Sequence, residues 1–383
     1  MRVLIVINGL GTGGAQRSLA EMLPGYAERG VEATVACFQR MAEGVQDAVI
    51  ADGHDVRFIE DGSTLGRVRA LRRLVLTEDI DLIHTQLFEA NLAGRFAAVG
   101  LDVPVLTSLV NTDYATVRVN DPNVARYKLR SARFIDAWTG RLLTDHFHAI
   151  SHAVKDGAVA TLGIDPRRVT VVERGRDPDR LGAPSPERKS AARKTLGLAP
   201  DAPVLTSVGR QEFQKGQVHL LRAMALLREQ VPNIALLLAG REGHATEELQ
   251  MEYRRLSLEG TAHLLGHRDD VPELLAAADL FVFPSLYEGI AGAVIEAMAL
   301  GLPVVASDIP AMREVLVPGE NAVLVTPSDP ESLADVVKRL LDAPDQIERF
   351  GERSRHRFED RFMLDRAVDR MVALYDEVAA RGR

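Results

Sequence analysis

The sequence predicts an α/β protein built of two Rossmann-like, doubly wound parallel-sheet domains. Three observations carry that expectation. A chain of 383 residues is longer than one ordinary hydrophobic core organises. Short apolar runs alternate with amphipathic stretches along its length, which is the pattern of βα units. The alternation lapses between Glu173 and Pro203 and then resumes, so a second sheet begins after the lapse. The expected domains are 1–180 and 187–363, with a C-terminal helix 364–383.

The first strand is Val3 to Ile7, a continuous apolar run of the kind covered on both faces in a parallel sheet. Asn8-Gly9-Leu10-Gly11-Thr12-Gly13-Gly14 and a helix from Ala15 to Glu28 follow. Gly9, Gly11 and Gly14 spell a dinucleotide fingerprint, whose test is an acidic residue after the second strand. That strand, Glu32 to Phe38, is followed by Gln39 and Arg40, so an NAD site is disfavoured and only NADP stays open. A glycine loop that lets the backbone approach some other ligand is the preferred reading. Further strands are expected at Val56–Ile59, Asp81–His84, Val103–Ser108 and Phe147–Ile150. Helices are expected at Val68–Leu76, Glu89–Val99, Val124–Leu143 and His152–Leu162.

Ligands of doubly wound sheets lie beyond the carboxyl ends of the strands. The polar residues to watch there are Asn8, His84, Gln86, Asn111, Asp113 and Ser151. Taken singly each is a loop or capping residue; together they outline a pocket wall. Arg174 to Pro186, rich in Gly, Pro, Asp and Arg, reads as a linker. After the strand Pro203–Val208 comes Gly209-Arg210-Gln211-Glu212-Phe213-Gln214-Lys215-Gly216, opening a helix Gln217–Arg228. An arginine fork and a lysine point charge at a helix N-terminus are complementary ways to hold a diphosphate. They also stabilise the charge that builds on a departing nucleoside diphosphate. The bland alternative is two exposed loop cations.

A strand Ile234–Ala239 and a helix Glu247–Leu256 lead to His263-Leu264-Leu265-Gly266-His267-Arg268. Its end could hold a flat base through backbone bonds and stacking. Asp269 or Asp270 is expected to cap the helix Val271–Ala277. Next is Pro284 to Ser307, PSLYEGIAGAVIEAMALGLPVVAS, read as loop, helix from Ala291 to Leu300, and strand. Its helix N-terminus suits phosphate. Glu288 and Glu296 each have two oxygens with which to clamp a pair of vicinal hydroxyls. Against that stands the reading of Glu288 as a cap and Glu296 as a surface residue. A strand Ala322–Val325, a helix Pro330–Leu341 and a helical tail from Ile347 to Ala380 complete the chain, with Met371, Leu374 and Tyr375 on one face.

Composition narrows the function classes. With 46% hydrophobic and 26% charged residues the chain is an ordinary globular protein, and a net charge of -8 argues against nucleic acid as a partner. One cysteine, Cys37, excludes a disulfide framework and suits a reducing cytoplasm. No metal is expected, since His267 has no ligating cluster at metal spacing. Two basic helices, with Arg67, Arg69, Arg72 and Arg73, and with Arg126, Lys128, Arg130 and Arg133, leave peripheral membrane contact open. A solvated helix face is the favoured reading of both.

Together these residues resemble the retaining glycosyltransferases of family 4, which have the GT-B architecture. The resemblance spans nearly the whole chain. It rests on Gly13-Gly14, on Gly209-Arg210 with Lys215-Gly216, on Pro284–Ser307 with Glu288 and Glu296, and on FHAISHAVKD from Phe147 to Asp156. It implies transfer of a sugar from a nucleoside-diphosphate donor, UDP-hexose or UDP-N-acetylhexosamine, to a hydroxyl of a small-molecule, glycan or lipid-linked acceptor. No cofactor or metal is implied. Arg210 and Lys215 would hold the diphosphate and Glu296 the ribose, with Glu288 facing the transferred sugar. Ile290, Ala291 and Gly292 would bind through their backbone, Gly209 would belong to the donor site, and the base would rest near His267 and Arg268. Gly13 and Gly14 would let the first domain close over the donor phosphates across a central cleft. The terminal segment 364–383 would pack back on the first domain. Gln86, Asn111 and Asp113 would stand on the acceptor side, in a monomer or homodimer.

Departures from the family pattern fall on that side. Val110 stands where family members often have a histidine, and Gln86 and Glu89 lie near the positions of others. Gln16 replaces a frequent glutamate, and Glu-Gly-Ile-Ala-Gly replaces the commoner Glu-Gly-Phe-Gly. A changed acceptor, or a changed contact to the sugar, is the preferred reading. The alternatives are a GT-B epimerase or phosphorylase, or a catalytically silent nucleotide-sugar-binding protein.

Overall fold

The computed structural model describes residues 1–381, Val119 by its backbone alone. Gly382 and Arg383, the last two positions of the expected segment 364–383, lie outside the described residues. The chain divides into two compact units. The first comprises Met1–Thr116, Val124–Arg176 and the segment from Leu364 onward; the second comprises Val117–Asn123 and Asp177–Met363.

The first unit holds a sheet of seven parallel strands. They are β1 (Arg2–Ile7), β2 (Glu32–Cys37), β3 (Asp55–Phe58), β4 (Leu82–Gln86), β5 (Val105–Leu109), β6 (His146–Ala149) and β7 (Val169–Val171). Their spatial order is β3-β2-β1-β4-β5-β6-β7. Side chains alternate across β1. Val3, Ile5 and Ile7 join the core under the helices Gly14–Glu28 and Leu364–Arg381, while Leu4 and Val6 join a second core on the other face. Both faces are therefore buried, which explains an unbroken apolar run instead of an alternating one. Each fully buried branched side chain contributes about 1.5–3 kcal/mol.

The second unit holds six parallel strands, β8 (Val204–Val208), β9 (Ala235–Ala239), β10 (Ala262–Gly266), β11 (Leu280–Phe283), β12 (Val304–Ser307) and β13 (Ala322–Val325), in the order β10-β9-β8-β11-β12-β13. Leu205, Leu236, Leu238, Leu280, Val282 and Val305 pack on one face with the helices Gln217–Leu227 and Pro330–Leu341. In each sheet the strand order reverses once, between β1 and β4 and between β8 and β11. Those switch points open a crevice at the carboxyl ends of the flanking strands.

The helical tail divides into Pro344–Arg361 and Leu364–Arg381, the second where a separate C-terminal helix is expected: the chain leaves helical geometry at Phe362, and the Leu364 amide bonds to the Arg176 carbonyl at 3.0 Å. Two expectations need correction. Asp270 does occupy the cap position of Val271–Ala277, yet its carboxylate does not cap; it is held by Arg268 at 2.7 and 2.5 Å. The linker contains a helical turn, Pro178–Leu181, capped by the Asp177 side chain. The strand β7 and the helices Gln46–Ala51 and Pro310–Val315 escaped the sequence reading, being only three to six residues long.

Candidate functional site

In the second unit, the loops that leave β8 and β11 flank the switch point and are bonded to each other. The Leu286 amide donates to the Gln214 carbonyl at 2.8 Å, and Gln214 Nε2 donates to the Tyr287 carbonyl at 2.9 Å. Gly216 lies where they touch. Its φ is +60°, and a β-carbon there would sit 2.2 Å from the Pro284 carbonyl oxygen. Only glycine fits that left-handed turn against another backbone. Gly216 also leads into the helix Gln217–Leu227.

This docking brings Lys215 Nζ to 2.5 Å from Glu288 Oε1, and 5.2 Å from the centre of the Phe283 ring. Glu288 is buried and Lys215 half-buried, so the pair interacts in a medium of reduced screening. Arg210 differs: its side chain is 60% exposed, with Glu212 at 3.5 Å. Gly209 precedes it, its amide bonded to the Ala239 carbonyl. Beyond Glu288, Ile290 and Ala291 are buried, Ala291 caps in extended conformation, and Gly292 starts the helix Gly292–Ala299. Glu296 is half-buried one turn inside that helix. Among the described residues, two buried side-chain oxygens at these loops, Gln211 Oε1 and Ser285 Oγ, have no hydrogen-bond partner. His267 and Arg268 follow β10; His267 lies 3.3 Å from Asp269, while Arg268 is occupied by Asp270.

The carboxyl ends of the first sheet carry a different construction. A cavity of about 40 Å³, room for one or two waters, is lined by Ser18, His84, Gln86, Ser108, Val110 and His148, among others. A chain of hydrogen bonds runs along its wall. His148 Nε2 meets the Val172 carbonyl at 2.9 Å, so that nitrogen must donate. Its Nδ1 then accepts from the Ser108 hydroxyl at 2.7 Å. Ser108 in turn accepts from His84 Nε2 at 2.7 Å, and His84 Nδ1 accepts from the Tyr375 hydroxyl at 2.8 Å. Every member is satisfied with both imidazoles neutral. Burial pushes His84 down to about 3, assisted by the nearby His148, and pushes His148 down to about 4 against the favourable Val172 bond. Burial raises the Tyr375 phenol as well.

Of the residues expected on this side, Gln86 lines the cavity; Asn111 and Asp113 do not. Asn111 bonds the Thr112 amide at 2.9 Å, and Asp113 is exposed. Ser151 and Asn8 take the bland roles: Ser151 caps its helix, and Asn8 accepts from the Ala90 amide at 3.2 Å. Leu87, directly after Gln86, is held at a φ of +76°, a strained turn for a branched residue. Gly13 precedes the first helix, and a β-carbon on Gly14 would meet Arg174 at 2.9 Å. Ser108, His148 and Arg174 were missed as candidates. The signal available was the two-residue spacing of His146 and His148 beside the apolar Phe147. A larger cavity of about 220 Å³, walled by Arg95, Val99, Pro104, Leu142 and Asp145, lies at the amino ends of β5 and β6, away from the switch point.

Known proteins agree with this architecture. Residues 12–180 match the model of Glycosyltransferase Family 4, and residues 188–357 match that of Glycosyl transferases group 1. D-inositol 3-phosphate glycosyltransferase of Xylanimonas cellulosilytica is 30% identical over 319 residues, 79% of this chain and 73% of that protein. The chain belongs to glycosyltransferase family 4. Another family relative, the UDP-Gal:alpha-D-GlcNAc-diphosphoundecaprenol alpha-1,3-galactosyltransferase of Escherichia coli, is 28% identical over 80% of this chain and 78% of its own length. HepE of Anabaena, crystallised with UDP and glucose, superposes with a TM-score of 0.84 at 22% identity, over 98% of this chain and 100% of that one. Sucrose-phosphate synthase of Thermosynechococcus elongatus gives 0.84 at 19%, over the whole of both chains. These likenesses show the GT-B fold. As a member of family 4, the protein is a glycosyltransferase using nucleoside-diphosphate-sugar donors. Among the described residues no helix is long and apolar enough to cross a membrane, and no cluster of three or more His, Cys, Asp or Glu is arranged to hold a metal ion.

Proposed function

We propose that the protein is a retaining, metal-independent transferase. It moves a hexose or N-acetylhexosamine from a UDP-sugar to a hydroxyl of a lipid-linked, glycan or small-molecule acceptor. The observation that carries this reading is the meeting of Lys215 and Glu288 at the switch point of the second sheet. A cation and a carboxylate on docked loops suit a ligand that is a diphosphate at one end and a polyol at the other. Lys215 and Arg210 take the diphosphate, and Glu288 turns to the transferred sugar once phosphate competes for Lys215. Glu296 takes the ribose diol; the backbone of Ile290, Ala291 and Gly292 meets sugar and phosphate; the base rests beside His267 and Arg268, with Gly209 in the same donor site. Gly13 and Gly14 offer bare backbone to a ligand beyond the end of β1. Gln86, Asn111 and Asp113 serve the acceptor.

In the transfer, the bond from the anomeric carbon to the phosphate oxygen breaks as the acceptor oxygen bonds the same face. The acceptor proton passes to the departing phosphate. Two cations and a helix N-terminus stabilise the charge on that phosphate, the work a metal ion does elsewhere. The E. coli relative supports UDP as the nucleotide and a lipid-linked diphosphate as one acceptor class. The Xylanimonas relative supports a small phosphorylated polyol as another. The single buried, free Cys37 supports work in a reducing cytoplasm.

The test is turnover of UDP-glucose, UDP-galactose and UDP-N-acetylglucosamine in a metal chelator, read as UDP release and as the anomeric configuration of the product. One donor should be turned over, with an α product from the α donor. An inverted product overturns retention, and full inhibition by chelator overturns metal independence. Undiminished turnover in both Arg210→Ala and Glu288→Ala overturns the site. A rearranged nucleotide-sugar formed without acceptor would make the enzyme an epimerase instead.

A further inference from the structure

The helix Arg126–Leu143 turns its largest apolar side chains outward, unlike an ordinary surface helix. Its inward side mixes buried polar groups with the half-buried Leu129, Ala132 and Leu143. Asp136, Thr139 and Gly140 are buried, and Asp136 Oδ1 holds Arg95 Nη1 at 2.7 Å, with Thr139 and Thr144 completing the guanidinium's partners. Its outward side is apolar. Phe134 is 71% exposed, Tyr127 69%, Leu142 64%, Trp138 48% and Ile135 41%. At 3.6 residues per turn these five fall on one stripe, opposite the buried residues. A contiguous apolar stripe of this kind on a folded surface marks an interaction site.

Beside the stripe runs a basic row, Arg126, Arg130, Arg133 and Arg141, with Lys128 on the other flank. The one acidic residue of the helix, Asp136, is the buried one. Among the described residues no carboxylate pairs with Arg126, Lys128, Arg130 or Arg133. The second arginine-rich helix, Thr64–Thr77, contrasts with this. There Arg67 is held by Glu89 at 2.8 Å, and Arg72 by the carbonyls of Val99 and Ala97 at 2.6 and 3.2 Å.

We propose that the outer face of Arg126–Leu143 docks on a membrane bearing anionic phospholipid headgroups, with the apolar stripe in the interface and the arginines on phosphate. Tyr and Trp beside Phe and Leu are the side chains that settle at the boundary of headgroup and acyl chain. Eighteen residues give a contact about 27 Å long, enough to seat the helix flat. A second copy of the chain fits poorly. An antiparallel two-fold packing of stripe on stripe sets one arginine row against the other, and the face offers no carboxylate to answer it. The docking face works whichever acceptor the enzyme uses, and its test needs no turnover.

Trp138 is the only tryptophan in the sequence, so its emission reports on this face alone. The full-length protein is titrated with vesicles of phosphatidylglycerol and phosphatidylcholine, and with phosphatidylcholine alone, following emission and co-sedimentation. The expected result is a blue shift and sedimentation with the anionic vesicles only. Phe134→Ser should abolish both with an unchanged circular dichroism spectrum. The triple change Arg126→Gln, Arg130→Gln and Arg133→Gln should weaken binding by roughly 100-fold, each charge near an anionic surface being worth about one kcal/mol. Unchanged emission and no sedimentation of the folded protein would overturn the proposal. So would a blue shift that grows with protein concentration in the absence of lipid, which would give the face to a second copy.

Discussion

The switch points of the two sheets sit at equivalent places in similar folds and are chemically opposite. At the second, two loops meet through a charged pair, Lys215 on Glu288, with Arg210 reaching into solvent beside it. At the first, the strand ends are tied by a neutral relay from Tyr375 through His84, Ser108 and His148 to the Val172 carbonyl. The charged site keeps partners that a phosphate can displace. The neutral one is saturated: each donor already has its acceptor, and proton uptake by either imidazole is suppressed by burial. One region is built to exchange partners and the other to hold its shape. The first should respond to salt and charge substitution, the second to acid and to loss of any single link.

The largest test of that contrast is Lys215→Ala. It removes the half-buried cation on the proposed diphosphate and leaves Glu288 without this partner. UDP-sugar turnover, measured as UDP release, should fall by about 100- to 1,000-fold, the range for deleting one donor to a developing oxyanion. A loss below tenfold would mean that the pair is structural only. Next is Gly216→Ala, which forces a β-carbon into the left-handed turn and against the Pro284 carbonyl. Chemical denaturation should show a loss of about 3 kcal/mol, more than left-handed strain alone, because the two loops must part.

The neutral relay is tested by Ser108→Ala, which strands the His84 Nε2–H and the His148 Nδ1 at once. About 2 kcal/mol should be lost, moderated by the small cavity alongside, which has room for a replacing water. Its acid response has a definite sign. The unfolded chain protonates its histidines near 6.5, whereas the folded chain resists until about 4 at His148 and about 3 at His84. Between those values the unfolded state binds more protons, so stability falls as pH drops below 6.5. The slope approaches about 1.4 kcal/mol per pH unit for each histidine. Replacing His84 by Gln should halve the relay's share of that slope; an unaltered acid limb would show that the relay does not govern it.

The charged site could be read in the sequence, and the neutral one could not. Lys215 and Glu288 sit in two short segments, each after an apolar strand run, so local pattern and the rule about strand ends suffice to bring these two together. The relay is assembled from residues 84, 108, 148, 172 and 375, and depends on lateral register, with Ser108 paired directly to His148 across β5 and β6. No spacing in the chain encodes that. The helix Arg126–Leu143 shows a second limit. Its periodicity reveals an apolar stripe and a polar one, but periodicity does not say which faces inward. The buried Arg95 on a neighbouring helix decides it, by drawing Asp136 and Thr139 to the inside.

The smallest expected effect is the most discriminating. Arg210→Lys keeps the charge at the second switch point and removes the planar fork. Because Arg210 is largely exposed and only 3.5 Å from one carboxylate, the fold should not register the change, and denaturation midpoints should coincide. If Arg210 grips phosphate with two parallel bonds, the loss should appear as roughly a tenfold rise in KM for the UDP-sugar with kcat little altered, one lost charged bond being worth about 1.5 kcal/mol. If it acts only as a field, Lys will substitute fully and KM will not move. Raising salt separates the cases further, since a screened point charge weakens with ionic strength faster than a bidentate contact made at short range. An exposed arginine that tolerates lysine at every salt concentration would leave Lys215 alone as the diphosphate cation.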